Sequence, residues 1–346
     1  MEPTATPPAP ADEAALARVR EVGQRILHEC GKRIVGQREV LEQLLIALLA
    51  RGHCLLVGVP GLAKTLMIRT LAETMHLSFS RIQFTPDLMP SDITGTEVIQ
   101  EDRTSGQRVF RFVQGPIFAN VILADEINRT PPKTQSALLE AMQEVQVTVA
   151  GTRHPLPMPF FVLATQNPIE QEGTYSLPEA ALDRFMLNLR VDYPAEDEEC
   201  RIVEATAARR AALIQPVVTG EELLGLQQIV DEVPVAPFVI RYATRLCRLS
   251  RRDTPEAPDF VREYVTWGAG PRASQSLVLA AKARAVLHGR PFVSTDDIRA
   301  VAGPVLRHRI LTNYNAQSAG VSPDQIVRRL IEIVPRDPAE AQYAAR

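Results

Sequence analysis

The chain has 346 residues, 45% of them apolar, with a formal net charge of −3 at pH 7. That length exceeds one small core and points to two domains and a tail, while the apolar share is that of a soluble globular protein. The near-neutral balance supplies no global basic field for nucleic acid or a membrane surface, although a local patch stays open.

Residues 1–13 are rich in Pro and Ala and are expected to form a disordered tail. Apolar residues recur at helical spacing from Ala14 to Ile34, break at Ile34-Val35-Gly36-Gln37, and resume from Glu39 to Ala50. A first strand is predicted at 53–57, then a Gly-rich loop, an amphipathic helix from Leu66 to Met75, and a second strand at Phe79–Phe84. A loop or short helix covers Thr85–Asp92. Thr96–Gln100 and Val109–Val113 follow as arms of a hairpin whose turn region holds Arg103-Thr104-Ser105-Gly106.

The third strand, Val121–Ala124, is apolar on both faces, as in a parallel sheet covered by helices. A helix over Thr134–Met142 leads to a second hairpin, Val145–Val149 with Arg153–Leu156, turning at Ala150-Gly151. The fourth strand is Phe160–Thr165, and the fifth is Met186–Val191. After Tyr193-Pro194 no further strand is convincing. Thr219 with Glu222, Ser294 with Asp297, and Ser322 with Gln325 fit capping boxes, and Pro237, Pro271 and Pro323 fit first helical turns. The expected division is an α/β domain over 14–193 and a helical one over 194–346.

The chemistry starts at Gly58-Val59-Pro60-Gly61-Leu62-Ala63-Lys64-Thr65, with Leu66 continuing into the helix. A buried strand that ends in such a loop and opens a helix aims successive backbone N–H groups at one anion. Lys64 can reach outer phosphates, and the Thr65 hydroxyl can join a Mg²⁺ shell. Ala63 stands where the usual phosphate-loop pattern has Gly. The bland alternative is a chance Gly/Pro-rich turn.

Asp125-Glu126 ends the third strand, at the sheet edge where ligands of open α/β folds bind. Asp125 would hold Mg²⁺ through water, and Glu126 would orient and polarise an attacking water. Asn167 ends the fourth strand with an amide that can donate to a γ-phosphate, or simply turns the chain before Pro168. Arg184, between apolar anchors Leu182 and Phe185, either completes a neighbour's site or is a solvated surface Arg. Arg272, in a first helical turn, opposes the helix dipole and could reach back to the γ-phosphate. Val35-Gly36-Gln37 could pack an adenine base or form a plain loop. The four cysteines and six histidines show no metal-ligand spacing, and His53 is read as structural. Only four residues are lysines, Lys32, Lys64, Lys133 and Lys282. No membrane-length apolar window and no signal peptide is visible, so a cytoplasmic location is expected.

Together these stretches resemble the AAA+ ATPases and, more narrowly, the MoxR family. The matching stretches are Ile34–Gln37, Gly58–Thr65 with its Ala-Lys-Thr ending, Gln83-Phe84-Thr85-Pro86-Asp87-Leu88, and Pro90–Gly95. Gly115–Asn120, Asp125-Glu126-Ile127-Asn128-Arg129, Ala164–Pro168 and Leu177-Pro178-Glu179-Ala180 complete the set, and Leu182-Asp183-Arg184-Phe185 with Gly270-Pro271-Arg272 follow the wider AAA+ order. Ser176 and Gly270 depart from the family's usual Pro and Ser, at positions that touch no phosphate ligand.

The resemblance implies ATP and Mg²⁺ as cofactors, a parallel P-loop sheet ordered 5-1-4-3-2, and a smaller all-α lid that carries Arg272 as a second sensor. It also implies a homo-hexameric ring in which Arg184 acts on the adjacent subunit's ATP, with Arg129 supporting the interface. Both hairpins would be inserts facing protein clients or the pore. The implied work is chaperone-like remodelling or activation of protein complexes, often with a von Willebrand A domain partner. A DNA-directed AAA+ motor is the first rival; the near-neutral charge and the lack of an aromatic–basic groove speak against it, so no nucleic acid is expected. A nucleotide switch or a chelatase-like subunit for metal insertion is the other, and Glu126, Asn167 and Arg184 weaken the pure switch.

Overall fold

The computed structural model describes residues 13–101, 108–169, 173–207 and 212–336. The expected tail, apart from Glu13, and the turn Arg103–Gly106 lie outside them. Glu13 itself belongs to the first helix, Glu13–Gly31, rather than to the tail. Leu16, Val19, Gly23, Ile26 and Cys30 form the buried face of that helix, spaced three and four residues apart. A second helix follows at Arg38–Leu49.

Five strands form the central sheet: β1 (Cys54–Gly58), β2 (Phe79–Gln83), β3 (Val121–Asp125), β4 (Phe161–Gln166) and β5 (Leu187–Val191). Their order is β5-β1-β4-β3-β2, every pair parallel, as the resemblance implied. Successive residues face opposite sides of a strand, so each strand feeds two cores. Leu55, Ile122, Ala124, Val162 and Ala164 point into one, closed by Leu138 and Phe185. Cys54, Leu56, Leu123, Phe161, Leu163, Leu187 and Leu189 point into the other, which continues without a break into the C-terminal helices.

Two antiparallel hairpins stand off the sheet, Gly95–Glu101 with Arg108–Gln114 and Gln146–Val149 with Thr152–Pro155. The second turns through Ala150 (φ 47°) and Gly151 (φ 82°), the doubly left-handed geometry that matches strand twist. Phe112 of the first hairpin stacks on His154 of the second, with ring centroids 3.9 Å apart.

The C-terminal part is helical, and all three expected capping boxes form. One addition is a two-stranded antiparallel ribbon, Val265–Trp267 with Leu311–Thr312, in a region where no strand was expected. Strands of two and three residues are too short to carry a periodic signal. The Ser294 box does more than cap. Its partner Asp297, fully buried, also accepts from Arg284 at 2.6 Å and from Arg290 at 2.5 Å, which ties two lid helices together.

His53 fixes the start of β1. Its Nδ1 accepts from Val162 N–H and its Nε2 donates to the Met142 carbonyl, both at 3.1 Å, so the neutral tautomer is specified. Burial pushes its pKa down to about 4, with the Met142 bond opposing. In the unfolded chain a histidine titrates near about 6.5. The native state gains from His53 in full above that value and loses the gain as pH falls toward about 4, a swing of about 3 kcal/mol. Thermal unfolding measured between pH 7.5 and 4.5 is therefore expected to fall less steeply in His53→Gln than in the wild type.

Candidate nucleotide site

β1 ends at Gly58, where a Cβ would sit 3.0 Å from the Val191 carbonyl of β5. The chain then turns through Gly61 at φ +87°, with open space around its α-carbon, and Ala63 at φ 53°. Ala63 is the N-cap of the helix Lys64–Thr74. A left-handed conformation costs an L-residue about 1–2 kcal/mol, so this position explains why Gly is usual there and why only a small side chain replaces it. The first helical N–H to bond back is that of Met67, to Ala63 O at 2.9 Å. The N–H groups of Lys64, Thr65 and Leu66 are left for an external acceptor at the positive end of the helix.

A cavity of about 460 Å³ lies in front of them. Pro60, Gly61, Ala63, Lys64, Thr65 and Leu66 line one side, and Arg81, Asp125, Glu126 and Asn167 line the other. Lys64 Nζ donates to the Gly58 carbonyl at 2.6 Å, folded across its own loop. Burial lowers its pKa below the ordinary lysine value, and the carboxylates of Asp125 and Glu126 oppose that shift.

A neighbouring cavity of about 900 Å³ shares Pro60, Gly61, Ala63 and Leu66 and extends to Val35, Gln37, Leu62, Tyr193 and Ile202. Its largely apolar walls suit a flat base beside the phosphates. Gly36, between Val35 and Gln37, lines neither cavity; its φ of +67° is a left-handed turn that favours glycine. Gln37 donates its amide to the Asp192 carbonyl at 3.0 Å, joining the base side to the end of β5. Val59 continues the loop and lines neither cavity.

Three residues not singled out from the sequence hold the two carboxylates. The Thr165 hydroxyl donates to Asp125 Oδ1 at 2.6 Å and accepts from Glu126 N–H at 2.9 Å. Arg81 donates to Asp125 Oδ2 from Nε at 3.1 Å and Nη2 at 2.6 Å, and its Nη2 also reaches Gln83 Oε1 at 2.7 Å. Gln83 Nε2 donates to Glu126 Oε2 at 2.9 Å, and Arg129 Nε lies 3.2 Å from the same oxygen. Asp125, Arg81, Gln83 and Glu126 are thus one chain of contacts. The signal in sequence was the period of two that puts Arg81 and Gln83 on one face of β2. It becomes readable only once β2 is known to pair with β3, Gln83 opposite Asp125.

The Thr65 hydroxyl and the Asp125 carboxylate form the hard oxygen set that Mg²⁺ takes. Both Asp125 oxygens already accept from protein donors, so this residue would hold the ion through water. Asn167 is buried and accepts from Ile169 N–H at 3.1 Å, which leaves its amide N–H₂ for the cavity.

Arg184 and Arg272 are not brought to this cavity. Arg184 follows the short helix Glu179–Leu182. Among the described residues its guanidinium has no acceptor. Arg272, at the start of the helix Pro271–Leu287, points Nη1 at Asp183 Oδ2, 3.5 Å away.

The chain is similar to known proteins in sequence and fold. The model of the ATPase family associated with various cellular activities (AAA) matches residues 53–187, and that of the AAA lid domain matches 259–330. Chaperone MoxR1 of Mycobacterium tuberculosis is 42% identical over 311 residues, which cover 90% of this chain and 81% of that protein. The YeaC protein of Bacillus subtilis is 43% identical over 302 residues, 87% of this chain and 90% of that one. A crystal structure from Cytophaga hutchinsonii, of a chain assigned as an ATPase, superposes with a TM-score of 0.87 at 41% identity. The superposition covers 94% of this chain and 98% of that one.

The geometry makes Lys64 the one cation of the phosphate loop, and no neighbouring loop residue can replace it. Lys64→Ala is expected to lose binding of an ATP analogue in calorimetric titration at least about 100-fold. Unchanged affinity would remove the loop from this role.

Proposed function

This chain belongs to the MoxR family of AAA+ ATPases, and we propose that its ATP hydrolysis requires Mg²⁺, is completed between subunits of a homo-hexameric ring, and drives chaperone-like maturation or activation of protein complexes. One observation carries the reading. Lys64, Thr65, Asp125, Glu126 and Asn167 meet around one cavity, whereas Arg184 and Arg272 lie outside it, with Arg184 free of any internal acceptor among the described residues. The phosphate side is furnished, while Arg184 and Arg272 are absent from the cavity lining. In this reading a second copy supplies Arg184.

In this reading the loop N–H groups and Lys64 bind the ATP phosphates, and the base lies against Val35, Leu62 and Tyr193. Mg²⁺, when bound through Thr65 and Asp125, neutralises charge on the outer phosphates. Glu126 orients the attacking water and takes up its proton, steered by Gln83 and Arg129. Asn167 donates its amide to the γ-phosphate. Arg184 of the adjacent subunit stabilises the charge that develops as the bond breaks, and Arg272 of the lid senses the γ-phosphate.

The client side rests on the two hairpins. Phe110 and Ile99, cross-strand partners on the first, are 72% and 61% exposed, a pair of apolar side chains offered to an extended or partly unfolded chain. A von Willebrand A domain protein is the partner class that the family resemblance implies. Among the described residues no single helix is long and apolar enough to cross a membrane.

Glu126→Gln is expected to keep ATP affinity within about threefold while turnover falls at least about 100-fold, since the amide keeps the shape but cannot take a proton. Arg184→Ala should also retain ATP binding and lose about 1,000-fold or more in turnover. Mixed with Glu126→Gln, it should regain activity that neither shows alone, because the first variant's Glu126 then faces the second variant's Arg184. Normal turnover by Arg184→Ala in a confirmed assembly would return that residue to the solvated surface.

A further inference from the structure

The turn from Asp183 to Met186 links the short helix before it to β5, and its carbonyls need donors from elsewhere. The lid supplies them from two adjacent residues. His308 Nε2 donates to Phe185 O at 3.0 Å. Arg309, only 5% exposed, donates to Phe185 O at 2.7 Å, to Asp183 O at 3.1 Å and to Met186 O at 3.1 Å. Its Nε also binds the Asp183 carboxylate, Oδ1 at 2.7 Å. A guanidinium is suited to this because its donors lie in one rigid plane. The second Asp183 oxygen faces Arg272, 3.5 Å away. Arg184, in the middle of the turn, is therefore clamped through its neighbours while its own side chain is left unengaged.

We infer that Asp183 is the positioning residue for Arg184. The buried Arg309 anchors it, and Arg272 shares its carboxylate, so that the lid and the Arg184 turn move as one body. This rests on the reading that Arg184 serves the adjacent subunit's ATP. Arg309 fixes the backbone from which Arg184 extends. Arg272, held by one longer contact at a half-exposed position, is the cation free to leave Asp183 when phosphate is offered. A purely structural Arg309–Asp183 pair would hold the lid on the sheet and have no effect confined to the neighbour's site.

The test uses the full chain as its assembled ring. Asp183→Asn removes the charge that Arg309 and Arg272 share. It should assemble and bind an ATP analogue with wild-type affinity, yet lose about 100-fold in kcat, the scale of a catalytic group displaced by about an ångström. Mixed with Glu126→Gln subunits it should recover turnover, because those subunits bring an undisturbed Arg184 to its intact Glu126. Arg309→Lys, which keeps the charge and loses the planar fork, should show the same recoverable loss, and it decides the matter if Asp183→Asn does not fold. Arg184→Ala with Glu126→Gln is the reference mixture. If the reference recovers and the Asp183 and Arg309 variants do not, or if these variants lose their own ATP binding, the positioning role is wrong and the pair is structural. If the reference itself fails to recover, the failure belongs to the between-subunit reading instead.

Discussion

A sheet in which every strand runs the same way must deliver the last residue of each strand to one edge. That constraint organises this molecule. Gly58, Gln83, Asp125 and Gln166 end adjacent strands on the same side, with Asn167 one residue beyond. Chemistry scattered over more than a hundred residues of chain is gathered by the strand order, and short cross-strand bonds to Asp125 and Glu126 then fix it. What the edge needs in return is rigidity below it. The alternating burial of β1, β3 and β4 into two separate cores supplies this, as a one-residue slip would send every side chain of the strand into the core it was not shaped for.

Much of this edge was legible in the sequence because each part carries its own local signal. A loop with two glycines before Lys64, and adjacent acids after four apolar residues, announce themselves within a few positions. Arg81, Gln83 and Thr165 did not. Nothing marks them locally; they matter because β2 and β4 flank β3, and that adjacency is a fact of topology. Arg309 was missed for a related reason. An arginine near the end of a helical region reads as solvated surface, and only the packed lid reveals it buried beneath the turn of Arg184. The short ribbon at Val265 and Leu311 falls below the length at which periodicity speaks at all.

The two halves of the chain differ in what holds them. On the sheet side, shape does most of the work, through large aliphatic side chains with no exposed area. In the lid, buried charge takes a larger share: Asp297 between Arg284 and Arg290, and Arg309 on Asp183, are both removed from water. Burying a charge is costly unless its partners are in place, so such pairs favour one arrangement strongly over near alternatives. Arg309 carries that preference for one arrangement from the lid to the turn of Arg184.

The shortage of lysine has a use beyond binding. Lys32 is engaged by Glu29 at 2.5 Å and Lys282 by the Asp231 carbonyl at 2.6 Å, while Lys133 is exposed on its helix. With only these three besides Lys64, a reagent that acylates neutral amines meets four side-chain targets. Burial lowers the Lys64 pKa, and it lowers that of Lys282 as well, so what sets Lys64 apart is its place in the loop. If the loop binds phosphate as proposed, label at Lys64 falls when the loop is filled, and label at exposed Lys133 normalises it within the same molecule.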